Sequence, residues 1–413
     1  MGEASHVTCL IAGGGPAGLM VGLLLARAGV AVRVLEKHAD FLRDFRGDTI
    51  HPSTLEVMHE LGLAADLLRL PHEKVARLGG TIGTERVSIG DFRHLPVQYP
   101  FIAMMPQWDF LNFLAEEGRR YPHFRLDMRT EATGLVERDG RISGVRAHGI
   151  EGPIEIAADL VVACDGRGSV LRRAAGLEVE DLGAPMDALW FRLPREPGDE
   201  AGTMGIIERG RILVLINRGT HWQTAFVIPK GGLDKLKGEG LDAFRRAVAA
   251  LLPLPAARLA AIASWDDVKL LVVKVDRLKR WWRPGFLAIG DAAHAMSPIG
   301  GVGINLAIQD AVAAANILAA PLQDGRLQDS HLAAVEARRM PPTRRTQRMQ
   351  VLLQKRVISS TLGARDDGTP LRPPWPLRLL RAFPILQRLP ARLIGMGFQP
   401  EHVAEEIRRA GRG

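Results

Sequence analysis

The sequence predicts an α/β fold (α+β overall) with a Rossmann-like dinucleotide-binding domain, a second domain of mainly antiparallel sheet and a helical C-terminal segment. Three observations predict it. An apolar run at residues 7–12 leads through a glycine-rich turn into an apolar helix and then a run rich in β-branched residues. Short segments broken by Gly and Pro, typical of antiparallel strands, occupy residues 75–99 and recur from about 176. The last part is arginine-rich, helical and punctuated by proline.

The alternation of these patterns predicts two domains built from interleaved segments. The dinucleotide-binding domain is expected to take residues 1–74, 101–175 and 275–340. The second domain, expected to hold the substrate, takes residues 75–100 and 176–274, and the helical segment takes residues 341–413. Within the second domain we expect strands at 188–193, 211–217 and 223–228, followed by a helix at 241–252.

The composition is that of an ordinary soluble globular chain. Of the 413 residues, 46% are hydrophobic and 24% are charged. The two cysteines, Cys9 and Cys164, lie in apolar runs and predict buried thiols in a reducing compartment, so we expect a cytoplasmic protein. No signal peptide is apparent, and the longest apolar stretch, 304–318, is interrupted by polar residues.

The net charge of +8 is unevenly distributed. Residues 338–413 carry 16 Lys+Arg and five Asp+Glu, a net charge of +11, which leaves −3 for the remainder. The basic tail has no zinc-ligand spacing and no nucleic-acid-binding motif, so neither a nucleic-acid partner nor a metal site is predicted.

A dinucleotide fingerprint follows the first strand. The segment Gly13-Gly14-Gly15-Pro16-Ala17-Gly18 matches G-x-G-x-x-G between a strand and a helix. Such glycines permit a tight turn, the approach of a pyrophosphate and close helix packing, and the phosphates then face the positive end of the helix dipole. Glu36 ends the second strand, where a carboxylate can accept ribose hydroxyls. The fingerprint alone does not distinguish FAD from NAD.

Two downstream motifs decide between these cofactors. One is Asp159-Leu-Val-Val-Ala-Cys-Asp165-Gly166, and the other is Gly290-Asp291-Ala-Ala-His294, followed by Pro298 and the glycines 300, 301 and 303. With the fingerprint, and in this order, they make residues 7–340 resemble the para-hydroxybenzoate hydroxylase family of FAD-dependent monooxygenases, which includes ubiquinone-ring hydroxylases and kynurenine monooxygenase.

The resemblance implies a set of site residues. The expected FAD contacts are Gly13, Gly15, Pro16, Ala17, Gly18, Glu36, Lys37, Arg46, Gln107, Ala132, Asp165, Asp291, Gly301, Gly303, Ile304 and Asn305. Arg46 and Pro298 would act at the flavin ring, with Pro298 also positioning the substrate. Simpler interpretations stay open: Arg46 as a surface arginine, Gln107 as a helix cap, and His294 as a backbone hydrogen-bond partner and not an acid or base.

The start of the helix at Ile304 supports this assignment physically. Unpaired amides and the helix dipole favour negative charge there, and reduced flavin is an anion. The resemblance implies that NAD(P)H docks transiently and reduces FAD, after which a flavin hydroperoxide transfers oxygen from O2 to an aromatic or electron-rich substrate. Lys37, His38 and Arg43 favour NADPH slightly over NADH.

The substrate pocket is less well specified by the sequence. Trp190, Trp222 and Phe226 lie on strands of the second domain and are the candidates to face substrate, although residues of this kind more often form the core of a sheet. A residue that deprotonates the substrate is not identified among the candidates, which are Tyr99, Tyr121, His51, His94 and His221.

Other functions of the same fold are a halogenase, a flavin-dependent reductase and a non-catalytic carrier of lipophilic ligands. A colourless protein that does not take up FAD would favour the carrier. The segment 376–398 alternates apolar residues with arginines, which suggests contact with a membrane surface or, alternatively, helices packed on the FAD domain or on a second subunit of a homodimer.

Overall fold

The computed structural model describes residues 6–42, 49–199, 202–364 and 369–410, which form four sheets and a set of surrounding helices. Arg46 and Arg43 lie outside the described residues.

The β-strands of the described chain, in sequence order, are β1 (His6–Ala12), β2 (Val32–Leu35), β3 (Thr49–Ile50), β4 (Glu73–Val75), β5 (Arg77–Ile82), β6 (Glu85–Asp91), β7 (Ile102–Met104), β8 (Phe124–Asp127), β9 (Glu131–Arg138), β10 (Arg141–Gly149), β11 (Gly152–Ala163), β12 (Val179–Asp181), β13 (Met186–Pro194), β14 (Met204–Glu208), β15 (Arg211–Asn217), β16 (His221–Pro229), β17 (Lys269–Leu271), β18 (Asp276–Leu278), β19 (Trp282–Arg283), β20 (Phe286–Ala288) and β21 (His294–Ala295).

The α-helices of the described chain are α1 (Pro16–Arg27), α2 (Pro52–Glu60), α3 (Ala64–Leu67), α4 (Gln107–Arg119), α5 (Val170–Ala174), α6 (Leu233–Glu239), α7 (Leu241–Ala249), α8 (Gly303–Gln323), α9 (Asp329–Leu353), α10 (Ser359–Gly363), α11 (Trp375–Ala382), α12 (Arg388–Met396) and α13 (Glu405–Ala410).

The largest sheet has a parallel centre. Its strand order is β19-β20-β11-β1-β2-β8, and β10 and β9 extend it as a meander from β11. Strands β1, β2, β8, β11 and β20 pair in parallel. Helix α1 packs against β1, β2 and α8. The last four residues of β1 and all of β2 are buried, and because successive side chains point to opposite faces of a sheet, both faces are covered there. Burial on both faces explains why these strands are continuous apolar runs in the sequence.

A second, mainly antiparallel sheet has the order β17-β13-β16-β15-β14-β5-β6. Within it, β14 and β5 pair in parallel, which joins chain segments that are far apart in sequence. Helix α7 packs its buried Phe244 and Val248 against one face of this sheet, called here the outer face. The opposite, inner face is directed at a small sheet of order β3-β7-β4.

The C-terminal segment returns to β6, the edge strand of the second sheet, and to α2. In α12, Ala391 lies beside Gly90 of β6, and Gly395 lies beside Pro52 and Phe92. In the described chain, one helical stretch, Ile299–Gln323, is long and apolar enough to cross a membrane. Most of its apolar window is buried inside the fold, as expected for a core helix.

Candidate active site

Four strands of the parallel sheet end side by side, and each predicted FAD motif follows one of them. Glu36 follows β2, Gly13 follows β1, Asp165 follows β11 and Gly290 follows β20. Neighbouring strands lie about 4.8 Å apart, so the row from β2 to β20 spans roughly 14 Å. The sheet order therefore places Glu36 and Asp291 on the same edge, along one elongated line where a dinucleotide binds in such folds.

The glycine-rich turn has the geometry that a pyrophosphate requires. Gly13 has a φ of +108°, and a Cβ on Gly18 would lie 1.9 Å from the carbonyl oxygen of Gly13. No atom lies within 4 Å of the Cβ position of Gly15. Gly15 caps α1 without a side-chain hydrogen bond, which leaves the first amides of the helix for an anion.

Glu36 is buried at the next strand end. Its Oε2 accepts a hydrogen bond from the Gly14 amide and its Oε1 accepts one from the His38 amide, both at 3.0 Å. The Thr130 amide donates to the Glu36 carbonyl, which brings the start of β9, and with it Ala132, beside this turn. The ammonium group of Lys37 lies 3.8 Å from the Glu131 carboxylate. These residues form the end of the row expected to hold adenosine.

Gly290 brings the third motif against the first. Its φ is +60°, and a Cβ there would lie 2.9 Å from the Cβ of Ala17 and 3.3 Å from that of Ala307. The contact fixes the start of α1 against α8 and explains why only glycine fits. The next residue, Asp291, has a half-exposed carboxylate 3.8 Å from Nε of Arg167.

Arg172 links the second and third motifs. Its guanidinium donates to the carbonyl of Arg167 at 2.7 Å and to that of Ala292 at 3.3 Å, and it pairs with Asp276 at 3.5 Å. Ser169 caps the short helix α5 by accepting from the Arg172 amide. Because these groups are buried, the segments around Asp165 and Asp291 are held in a fixed relation.

The loop before α8 forms the opposite end of the row. Pro298 is exposed at its start, and Gly301, with a φ of +63°, lies against Thr49, whose Oγ1 donates to the Gly301 carbonyl at 2.8 Å. Helix α8 begins at Gly303 without a side-chain cap, so its first amides, which include those of Ile304 and Asn305, have no partners within the helix.

The side chain of Asn305 ties this loop to the chain around β3. Its Nδ2 donates to the Thr49 carbonyl at 3.1 Å, and its Oδ1 accepts from the His51 amide at 2.8 Å and from the Thr54 hydroxyl at 2.7 Å. Asn305 therefore positions the loop through its side chain. Its backbone amide lies in the uncapped first turn of α8.

The structure corrects two of the substrate residues expected from sequence. On β16, Trp222 and Phe226 point to the outer face of the second sheet, where they are buried in the core under α7. The indole of Trp222 donates to Asp199 at 3.0 Å, and the Phe226 ring packs on Phe244. Strand alternation sends Trp190, which pairs with Ala225, to the inner face. Trp222 and Phe226 are thus core residues, and Trp190 alone of the three faces the active-site side.

The five residues considered as a base lie in different parts of the structure. The Tyr121 hydroxyl accepts from Arg27 at 3.3 Å, and Tyr99 packs on Phe101. His51 is fully buried, and its Nδ1 donates to the Ile394 carbonyl at 2.7 Å. His94 is exposed and lies 3.9 Å from Asp91. His221 shares the inner face with Gln223, and burial, with Arg192 and Arg218, lowers the pKa of His221.

Sequence patterns did not identify two residues that face the space between the two domains. Thr49 and Glu73 lie in register on either side of Met104 in the small sheet, on the face directed at the second sheet. Both occur in strands of two or three residues without a motif. No local signal in the sequence could have marked them.

The residues at the sheet edge fit FAD. Two helices begin without side-chain caps, Gly15 leaves an open approach, and Oδ1 of Asp165 is buried without a hydrogen-bond partner among the described residues. The turn after β1 would hold the pyrophosphate, Glu36 the adenosine ribose and Asp291 the ribityl chain. Gln107 is the first residue of α4, after the N-cap Pro106. FAD supplies the electron transfer and oxygen chemistry when bound.

Comparison with known proteins agrees with this geometry. Residues 6–349 match the family described as FAD binding domain. The chain is 34% identical to 6-methylpretetramide 4-monooxygenase of Streptomyces rimosus over 87% of this chain and 86% of that protein. It is 27% identical to pentachlorophenol 4-monooxygenase of Sphingobium chlorophenolicum over 75% of this chain and 57% of that protein.

A solved structure shares the fold. OxyS anhydrotetracycline hydroxylase from Streptomyces rimosus superposes with a TM-score of 0.72 at 23% identity, covering 94% of this chain and 76% of that one. The relatives named above are monooxygenases, which supports hydroxylation and gives no support to the halogenase, reductase or carrier alternatives. The chain belongs to the family of FAD-dependent aromatic monooxygenases, which use NAD(P)H and O2 to hydroxylate aromatic compounds.

Proposed function

We propose that the substrate is a fused-ring phenolic compound. The observation that carries this proposal is a pair of apolar faces, called here walls, which meet on the side of the small sheet where Thr49 holds the loop at Gly301. One wall is the face of the small sheet with Val75, Ile102 and Met104, and the other is the inner face of the second sheet with Trp190, Val214 and Ile216. Flat apolar walls suit a rigid polycyclic ring system better than a single small ring.

The relatives support the same substrate class. One is named for 6-methylpretetramide and another for 12-dehydrotetracycline and anhydrotetracycline. We propose that Pro298, exposed at the start of the loop that Thr49 holds, contacts the ring to be hydroxylated. Trp190 would line the wall opposite the small sheet. Arg46 stays a proposed contact near the flavin, outside the described residues.

The role of the chain in this reaction is to bind, orient and exclude water. Thr49 and Asn305 fix the loop and the start of α8 through four side-chain hydrogen bonds of 2.7–3.1 Å. Such preorganised dipoles favour an anionic ring at the helix start. The apolar walls keep bulk water from the reacting ring, which favours oxygen transfer over release of peroxide.

The proposal is tested with anhydrotetracycline as a fused-ring probe and pentachlorophenol as a single-ring probe. The FAD-loaded enzyme is mixed with each, and flavin reduction, peroxide release and a product heavier by one oxygen atom are measured. Faster flavin reduction and an oxygenated product with anhydrotetracycline would support the proposal. Oxygenation of pentachlorophenol alone would contradict it.

The choice of nicotinamide is part of this proposal. NADPH is the preferred reductant on the sequence, but Lys37 lies beside Glu131 at the end of the row assigned to FAD adenosine. A basic residue at this position can contact the adenosine of FAD as well as the 2′-phosphate of NADPH, so Lys37 alone does not establish a preference for NADPH. Flavin reduction rates with NADPH and NADH, measured at equal concentration, decide between them.

We further propose that the enzyme is cytoplasmic and docks on anionic membranes through its C-terminal surface, defined as the exposed face of residues 375–389. Trp375, Ile385 and Leu389 expose 69%, 65% and 66% of their surface. Residues 369–400 contain five arginines and no acidic residue. Apolar side chains among cations suit a negatively charged lipid surface.

Co-sedimentation with vesicles tests the membrane proposal. Binding to phosphatidylglycerol vesicles that is lost on phosphatidylcholine or at high salt is expected, because the arginines supply the attraction. The variant Trp375→Ser/Leu389→Ser should weaken it, and Ile150→Ser, at an exposed apolar residue outside this surface, is the control. A concentration-dependent dimer that the same double variant dissociates, without vesicle binding, would instead assign the surface to a second copy of the chain.

A further inference from the structure

A cluster of buried polar atoms lies at one end of the space between the domains. Oε2 of Glu73, Oγ1 of Thr203, Nε2 of Gln223 and Nε of Arg195 are all inaccessible to solvent and have no hydrogen-bond partner among the described residues. Buried polar groups are almost always paired, because leaving one unpaired is costly. A group of such atoms in one place is therefore expected to bind something polar.

Several contacts bring these atoms together. The Cβ position of Gly202, beside Thr203, lies 3.9 Å from Oε1 of Glu73. Nε of Arg218 donates to Oε1 of Gln223 at 2.9 Å. The positive charges of Arg218 and Arg195 both act on Glu73. The end of the β15–β16 hairpin and strand β4 thus enclose one polar region from opposite sides.

The strand register shows where the Glu73 side chain points. Glu73 and Thr49 pair with the same residue, Met104, and in a sheet such directly paired residues share a face. Thr49 on that face donates to the Gly301 carbonyl, in the loop assigned to the flavin ring. Met104 on that face packs with Ile216 of the inner face. Glu73 therefore lies on the same face of the small sheet as Thr49, and Met104 lies between Glu73 and the Thr49 contact with the loop assigned to the flavin ring.

The charges around Glu73 set its proton affinity. Burial raises the pKa of Glu73, and Arg218 and Arg195 offset part of this rise. Arg218 also acts on Asp109 at the start of α4, where burial raises the pKa of Asp109, and on His221 of the inner face. Lys74, the neighbour in β4, pairs with Ala103 on the other face and lies over the Phe101 ring.

We propose that Glu73 binds an acidic hydroxyl group of the substrate, a phenol or an enol, and accepts its proton while the ring is oxygenated, with Gln223 donating to a neighbouring oxygen. This inference rests on the proposed substrate class. The proton moves from the substrate oxygen to Oε2 of Glu73, whose O–H bond forms as the substrate O–H bond breaks. No electron changes hands in this step. The resulting oxyanion is the electron-rich form that attacks an electrophilic oxygen, and the proton returns when the product is released.

The test uses 1,2-dihydroxyanthraquinone, a tricyclic phenol whose anion absorbs at longer wavelengths than oxidised flavin. Its Kd for the FAD-loaded enzyme is measured by absorbance across the pKa of the probe. A carboxylate and a phenolate repel each other when both are ionised, so Kd should rise up to tenfold per pH unit above that pKa. Glu73→Gln removes the carboxylate and should abolish this rise, whereas Glu151→Gln, at an exposed turn, should retain it.

The outcomes are distinct from those of the proposed function, because no hydroxylation is measured. An identical pH dependence in wild type and Glu73→Gln, both with full FAD content and equal Tm, would overturn the inference, as would no binding of the probe to the wild type. If Glu73→Gln does not retain FAD, Gln223→Leu replaces it. That variant should raise Kd about tenfold at neutral pH, and an unchanged Kd would again overturn the inference.

Discussion

Nε2 of His294 lies 2.6 Å from Oδ2 of Asp310, and both side chains are fully buried behind the Gly-Asp motif. The same carboxylate accepts from the Gly290 amide at 3.1 Å and from Nε of Arg339 at 3.0 Å. Burial alone would raise the pKa of Asp310, but His294 and Arg339 outweigh it and hold that pKa below its ordinary value. Asp310, a buried residue of α8, thus anchors the turn that contains Asp291.

Asp310→Asn should therefore reduce both stability and FAD retention. Removing one charge from a buried network leaves the others uncompensated, which typically costs about 3–5 kcal/mol. Urea unfolding gives the loss of stability, and fluorescence titration of the apoenzyme gives the FAD Kd, which we expect to rise at least tenfold. Asp324→Asn, at an exposed ion pair with Arg326, is the control. Wild-type stability in Asp310→Asn would show that the network does not support the fold.

Neutral His51 should make the fold sensitive to mild acid. Burial lowers the pKa of His51 from 6.5 to about 4, against a smaller opposing effect of the hydrogen bond to Ile394. The unfolded chain then binds more protons than the folded one between these values. The contribution of neutral His51 to the free energy of unfolding should be complete above about pH 6.5. The free energy of unfolding should then fall by up to about 3 kcal/mol as the pH drops towards 4.

The measurement is urea unfolding of wild type and His51→Asn between pH 4 and pH 7. Asn keeps a donor for the Ile394 carbonyl but does not titrate, so the variant should lose part of the pH dependence. His148→Asn, at an exposed position, should behave as wild type. A His51→Asn curve parallel to that of wild type would exclude His51 as the source.

Alanine substitutions at Gly300 and Gly301 should distinguish the effect of backbone strain from the effect of close packing. Both have positive φ, but a Cβ on Gly301 would lie 2.3 Å from Oγ1 of Thr49, while one on Gly300 meets only Val302 at 3.7 Å. Gly301→Ala should displace the loop and raise the FAD Kd clearly more than Gly300→Ala, which carries only the conformational penalty of about 1 kcal/mol. Thr49→Ala should partly restore FAD binding to Gly301→Ala. Equal effects of the two alanine variants would argue against the Thr49 contact.

The two tryptophans of the second sheet should separate stability from substrate binding. Trp222→Phe loses the indole hydrogen bond to Asp199 inside the core and should lower Tm with little change in substrate KM. Trp190→Phe alters the inner face and should change KM, with a smaller effect on Tm. Steady-state kinetics and thermal unfolding of both variants test this pair. The reverse pattern would place Trp222 in the pocket.

Much of the FAD domain was predictable from sequence because each feature has a local cause. The fingerprint requires glycine at fixed spacing, and the apolar run expected as a strand at residues 7–12 forms β1 (His6–Ala12). In the second domain, the strand expected at 211–217 is found at those residues. The helix expected from Ile304 begins at Gly303 and continues to Gln323, past Pro321, because tertiary packing overrides a weak local signal.

The candidate site was predictable only where a motif carries it. Trp222 was a candidate for the pocket as well as for the core, because alternation along a strand does not say which face is core until the packing helix is known; α7 packs on the face that carries Trp222. Glu73 and Thr49 share a face because both pair with Met104, a long-range relationship that no window of sequence contains. His294 was open between two roles, and its partner Asp310 lies 16 residues away on another element.

The parallel pairing of β14 with β5 has a practical consequence for dissecting the enzyme. A fragment that lacks residues 75–100 would expose the full backbone edge of β14 along Gly205, Ile206 and Ile207, with apolar side chains on both sides. Such an unprotected edge recruits other chains and aggregates. A fragment limited to residues 176–274 is therefore expected to aggregate, and a split enzyme would need its break in an exposed turn such as Asp139-Gly140.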